Sequence, residues 1–288
     1  MFKHTCPGNW NKFLLFLIGF SLLTISINAC QENNMTTGDL SLPKIKNIPP
    51  VKWTKLAEQK IYFGHQSVGV NILEGMQSVI IEYPQINLKI MEITQATSAQ
   101  EGVFAHSTVG QNEDPFSKID AFTNYINSRQ GKRWDIAFFK FCYIDINAAT
   151  DINKLFVSYK NALNEVASKH PTTTFIHFTV PLTVVQKGPK ALAKKILGKS
   201  IGGYIENIKR NQFNRLLIDE FKPNNTLFDL AQFEATRQDG SLETFEYDGN
   251  QYLALTPGYA FEKDLGRHLN ETGSKFIAEQ LLIFLANL

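Results

Sequence analysis

The sequence predicts an α/β fold: a three-layer α/β/α sandwich whose central, mostly parallel sheet has five strands. Short runs rich in Ile, Phe and Val alternate with longer amphipathic stretches. That alternation, at this spacing, builds a parallel sheet covered on both faces. About 230 residues without a repeat or a low-complexity tract suit one such domain. With 43% hydrophobic and 19% charged residues, the chain can bury enough apolar surface to fold. A net charge of +2 gives no sign of the concentrated basic face that nucleic acid requires. Three Cys in 288 residues cannot staple a disulfide scaffold.

The chain opens with Lys3 and Lys12, an apolar run Phe13–Ile27, and Asn28-Ala29-Cys30. A positive segment, a short apolar core and a small residue before the cut mark an export signal. Ile27-Asn28-Ala29-Cys30 resembles the lipobox of bacterial lipoproteins. Residues 1–29 are therefore expected to be a signal peptide, with Cys30 lipidated and residues 30–55 a tether. The resulting protein is exported and membrane-anchored through Cys30, facing the periplasm or the cell surface. Two or three acyl chains exceed the single chain that holds only marginally. Removing residues 1–29 takes away both signal lysines and no acid, leaving 27 charges of each sign.

The domain is expected over 56–288. Its strands are read at Lys60–Phe63, Leu88–Ile93, Ile136–Phe141, Thr174–Val180 and Leu227–Leu230. Helices are read at Val68–Ile81, Phe116–Ser128, Ile152–Ser168, Tyr204–Phe221 and Glu271–Leu288, the last capped by Asn270. In open α/β sheets the site lies beyond the carboxyl ends of the strands. There the first strand meets Gly64-His65-Gln66-Ser67, where Ser67 is either a nucleophile or a helix N-cap. A loop from His106 to Pro115 carries Gly110 and Asn112, which can give a backbone N–H and a side-chain amide to an oxyanion, or simply form a glycine turn with an Asx cap. Cys142 reads as a buried structural thiol, and Lys140 as the partner of a buried carboxylate. His268 stands before the closing helix with Asp264 four residues and Glu262 six residues upstream. Ser67, His268 and Asp264 supply the hydroxyl, base and orienting acid of a nucleophilic triad.

Those segments together resemble the SGNH/GDSL hydrolase superfamily, over roughly residues 58–288. The resemblance rests on Phe63–Gly69, Val109–Pro115, Lys140–Tyr143, Leu227–Ala231 and Gly266–Asn270, in that order. It implies a flavodoxin-like fold and cofactor-free hydrolysis of esters, with Ser67 as nucleophile and His268 as base. The amides of Ser67 and Gly110, with Asn112, would form the oxyanion hole. The sequence departs from the family at three points. Gly-Asp-Ser becomes Gly64-His65-Gln66-Ser67, Ile144 replaces the usual oxyanion Asn, and Leu265 sits where the acid three residues before His is normal.

Seven basic residues between Lys187 and Arg210 form either a solvated face or an overhanging segment that binds anionic glycan or lipid headgroups. The scattered His residues give no metal signature. The sequence thus predicts a lipid-anchored serine esterase acting on acylated carbohydrate or another small ester, without cofactor, metal or nucleic acid. The alternative is a catalytically silent protein of the same fold that binds glycan or assists envelope assembly.

Overall fold

The computed structural model describes residues 42–93, 102–128, 134–199 and 201–288. The expected signal peptide and Cys30 lie outside the described residues. The sheet is parallel throughout but has six strands: β1 (Lys60–His65), β2 (Lys89–Glu92), β3 (Val103–Thr108), β4 (Ile136–Phe139), β5 (Thr174–Phe178) and β6 (Leu227–Phe228). Their order is β2-β3-β1-β4-β5-β6. The expected count of five missed β3, because its apolar part is only Val103-Phe104-Ala105 before the polar His106-Ser107-Thr108. Its place between two parallel neighbours makes it a strand all the same. A hairpin, β7 (Thr244–Tyr247) with β8 (Asn250–Leu253), stands apart from this sheet.

Side chains alternate across the strands, as a two-residue period requires. Ile61, Phe63, Ile136 and Phe138 face one core with α1 (Pro50–Ala57), α2 (Val68–Glu82), α7 (Leu230–Ala235) and α8 (Glu271–Ala286). Tyr62, Ala137 and Phe139 face the other, with α3 (Pro115–Asn127), α4 (Ile152–Lys169) and α6 (Tyr204–Phe221). These two cores make the three expected layers. A further short helix, α5 (Pro189–Ile196), precedes α6.

The packed domain starts earlier than residue 56. Ile45, Trp53 and Leu56 are buried in the first core, so residues 45–55 belong to the domain rather than to a tether. Pro50 at the first position of α1 and the apolar spacing of Trp53 and Leu56 build a helix with one buried face. Helices α2 and α8 then make the contact that matters for the site. A Cβ on Gly75 of α2 would lie 2.1 Å from the carbonyl oxygen of Ser274 in α8. Glycine allows this close approach, and it draws together the start of α2, where Ser67 sits, and the residues leading into α8, where His268 sits.

Candidate active site

Ser67 occupies the N-cap position of α2 but does not cap it: its side chain makes no hydrogen bond to the helix. The ordinary capping role is filled elsewhere by Asp114, Asp151, Asp229 and Asn270, each accepting from a first-turn N–H. The Ser67 backbone stands at φ 53, ψ −114. A residue with a Cβ reaches that region only at a cost of about 1–3 kcal/mol, and such strain clusters where a side chain must be aimed. The Oγ is aimed at His268, with which it hydrogen-bonds through Nε2.

His268 Nδ1 in turn bonds Asp264 Oδ2. A carboxylate only accepts, so Nδ1 carries the hydrogen and Nε2 is left as the acceptor for the Ser67 hydroxyl. All three residues expected to form a triad are therefore linked in one chain. The displaced acid is accommodated by local geometry. Leu265 (φ 66) and Gly266 (φ 73) are both left-handed, and together they bulge the loop so that Asp264 reaches the imidazole. Asp264 also accepts from the Arg267 N–H, at 3.0 Å, which holds the turn closed.

The oxyanion candidates lie on the next loop. Strands β1 and β3 run parallel with His65 opposite Thr108, so the segments that follow them lie side by side. Gln66 stitches the two together, its Nε2 donating to the carbonyls of Val109 (2.9 Å) and Gly110. Gly110 is left-handed (φ 55), and a Cβ there would meet the Lys118 backbone at 2.6 Å, so the position requires glycine. Asn112 Oδ1 accepts from Lys118 Nζ at 3.0 Å. Because an ammonium only donates, this fixes the amide orientation and leaves the NH2 end as the donor.

Lys118 is fully buried and also pairs with Asp145 Oδ2 at 2.6 Å. Asp145 further accepts from Cys142 N (2.6 Å) and Glu113 N (3.0 Å). One carboxylate thus ties the loop after β3 to the turn after β4, orienting both. The Ile144 side chain offers no donor, and the residue lines a hollow together with Tyr143.

Lys140 departs from its expected role. It is 1% exposed and, among the described residues, meets no carboxylate; its Nζ donates to the carbonyls of Gln66 (2.9 Å) and Phe141 (3.3 Å) and lies 3.9 Å from Cys142 Sγ. Burial pushes its pKa down. Cys142 is a buried free thiol whose Sγ donates to the same Gln66 carbonyl at 3.4 Å, as a structural Cys would.

Two hollows lie near His268, which itself lines only the first. One, of about 560 Å³, lies between α2 and α8 and is lined by Glu74, Asp264, Glu271 and His268, with no Lys or Arg. The other, of about 870 Å³, is lined by Lys194, Arg210 and Arg267, with Glu113 and Glu206. Tyr143 forms part of its wall and packs edge-on against His268, ring centres 5.6 Å apart. Arg210 is 4% exposed, and burial lowers its pKa to about 10, which still leaves it charged at neutral pH. Along the chain Lys118 and Gln66 show only a long polar side chain within or beside an apolar segment, whereas Arg210 closes the basic run that starts at Lys187. Among the described residues no group of three His, Cys, Asp or Glu is placed to hold a metal ion.

No protein-family model matches the sequence, and no curated protein does. Solved structures similar to the chain include a GDSL-like lipase from Bacteroides thetaiotaomicron, 13% identical, with 80% of this chain and 87% of that one covered and a TM-score of 0.44. A member of the lipolytic G-D-S-L family from Veillonella parvula is 14% identical over 77% of this chain and 95% of its own, with a TM-score of 0.39. The periplasmic domain of a lipopolysaccharide acetyltransferase from Salmonella ser. Paratyphi A is 11% identical over 80% and 86%, with a TM-score of 0.40. Each of these likenesses extends over most of both chains, at 11–14% identity.

Proposed function

We propose that the protein is a serine ester hydrolase of SGNH type. The observation that carries this reading is the continuous hydrogen-bond chain from Ser67 Oγ through His268 to Asp264. Ser67 Oγ attacks the ester carbonyl while His268 Nε2 takes the hydroxyl proton, and Asp264 stabilises the imidazolium that forms. The tetrahedral oxyanion is held by the N–H groups of Ser67 and Gly110 and the Asn112 amide. Collapse expels the alcohol, which receives the proton from His268, and leaves Ser67 acylated. A water molecule, deprotonated by His268, then releases the carboxylic acid and restores the serine.

Lys140 contributes beneath this site. Its ammonium binds the carbonyl oxygen of the peptide whose N–H belongs to Ser67. A cation on that oxygen draws density from the amide and strengthens its N–H as a donor to the oxyanion. Lys118 acts through Asn112, fixing the side chain whose NH2 faces away from it.

Acylated carbohydrate is the proposed substrate class, and anchoring through a lipid on Cys30 the proposed location, facing the periplasm or the surface. Hydrolysis of p-nitrophenyl acetate and acetylated sugars by the full chain, wild type against Ser67→Ala, tests the chemistry. A loss of at least about 10³-fold is expected, and equal rates would overturn the reading in favour of a binding protein. Cys30→Ser protein that stays with the membrane fraction would overturn the anchor.

A further inference from the structure

The larger hollow beside His268 holds a cation that the protein itself leaves unmatched. Arg210 Nε donates to the Tyr143 carbonyl (2.8 Å), and Nη1 to Thr183 Oγ1 (3.0 Å) and Asn207 Oδ1 (2.8 Å). All three partners are neutral. Among the described residues no carboxylate touches the guanidinium, and Nη2 has no partner. Glu206 lies one turn earlier on α6 and Glu234 lies within electrostatic reach, but neither bonds to it. A buried charge without a counter-ion is costly, and a protein removes that cost by pairing it. Here three neutral acceptors hold the guanidinium rigidly, and it lines the cavity next to Tyr143.

Arg267 lines the same cavity and is exposed, with its backbone fixed on Asp264. Lys194, held by Gln186 Oε1 at 2.8 Å, lines it from α5. Three cations against Glu113 and Glu206 leave the wall net positive, and Tyr143 joins that wall to the imidazole. The other side of His268 carries acids without a cation. We propose that the cationic hollow binds an anionic group of the ester itself, a carboxylate or a phosphate on its alcohol portion, through Arg210 Nη2 and the Arg267 guanidinium. The assignment to the alcohol portion rests on the hydrolase reading above, because the leaving oxygen must face His268 to receive its proton.

Two measurements separate the subsite from the chemistry. The first is equilibrium binding to full-chain Ser67→Ala protein at low salt, by calorimetry, of 4-hydroxybenzoate, its uncharged methyl ester and phenyl phosphate. The anions are expected to bind at least about tenfold tighter than the methyl ester. That preference is expected to fall at least about fivefold on adding Arg267→Gln or Arg210→Met. The Arg267→Gln change is at an exposed position and keeps the test valid where the buried Arg210 variant does not fold. Whichever anion binds tighter identifies the group. Equal affinity for charged and uncharged probes, or a preference that Arg267→Gln leaves intact, would overturn the subsite. The second measurement compares wild-type hydrolysis of 4-acetoxybenzoate with that of methyl 4-acetoxybenzoate. Binding discrimination without hydrolysis of either ester keeps the subsite and sinks the hydrolase reading. Hydrolysis without a charge preference does the reverse.

Discussion

The two hollows near His268 differ in almost everything: the imidazole lines one, and Tyr143 stands between it and the other. Between α2 and α8 the wall is acidic, and Asp264 belongs to it. Across the ring, towards α6, the wall is cationic and Tyr143 separates it from His268. A base that becomes an imidazolium needs negative charge behind it, and the acidic side supplies that. A substrate that must be oriented before attack needs something to hold, and the cationic side supplies that. The asymmetry divides the labour: one side of the ring serves the proton, the other serves the ligand.

Breaking the proton side has the largest expected effect. Asp264→Asn keeps the size of the side chain but presents an amide to His268 Nδ1, favouring the tautomer in which Nε2 carries the hydrogen and cannot accept from Ser67. We expect kcat for p-nitrophenyl acetate to fall by roughly 10²–10⁴-fold. A rate within about threefold of wild type would mean that Ser67 and His268 work as a dyad, and that Asp264 merely shapes the turn.

A second cut is made beneath the nucleophile. Lys140→Met removes the ammonium from the Gln66 carbonyl while filling nearly the same volume. The expected result is a kcat lower by roughly 10–100-fold with KM little changed, since the donor acts on the oxyanion and not on the ground state. Stability should hold or rise, because a buried unpaired charge is replaced by an apolar chain. An unchanged kcat with a lowered Tm would make Lys140 a structural residue only.

Much of this site could be read along the chain, and what could not has a common physical cause. Ser67 and His268 were legible because each interrupts a local pattern, a strand-to-helix junction or a helix start. Asp264 was legible as a carboxylate one turn from His268, but its reach depended on a left-handed pair, Leu265-Gly266, whose conformation only the folded loop displays. Lys118, Asp145 and Asn112 form one network across two loops, and nothing in either segment alone points to the other. Lys140 looked like half of an ion pair, because a buried lysine ordinarily has one; its partners are backbone carbonyls, which the sequence does not distinguish. Trp53 follows a polar stretch and reads as tether, although it closes the first core together with Leu56. Strand β3 was hidden by its polar end, and the sheet order makes it a central strand.

The cationic side can also be probed through the one acid beneath it. Glu234 is buried, and burial raises its pKa to about 8, against the pull of Lys140 and Arg210. Between the unfolded value near 4.5 and about 8 the native state keeps a proton that the unfolded chain has released. Stability is therefore complete below the unfolded pKa and declines as pH rises through that window. Glu234→Gln cannot ionise and keeps an oxygen for the Leu182 N–H. In urea unfolding, the variant should gain on wild type by at least about 1 kcal/mol between pH 5 and pH 9. Parallel stability curves would show that Glu234 stays charged throughout, and would supply Arg210 with the counter-charge the subsite requires it to lack.

The smallest expected effect lies on the acidic wall. Glu74 on α2 and Glu271 at the start of α8 are exposed, and neither contacts Ser67 or His268. They act on an anionic ester only through solvent, so each contributes a few tenths of a kcal/mol. If the two walls sort substrates by charge, Glu74→Gln with Glu271→Gln removes repulsion from the wrong side of the ring. The kcat/KM for 4-acetoxybenzoate should then rise about two- to threefold at low salt, while that for its methyl ester stays in place. Raising the salt to about 0.5 M should erase the difference, because screening shortens the reach of exposed charges. An equal gain for both esters would mean that the substitutions changed the shape of the hollow. A gain that survives the salt would mean that the acids touch the substrate directly, and the division of labour between the two sides of His268 would have to be redrawn.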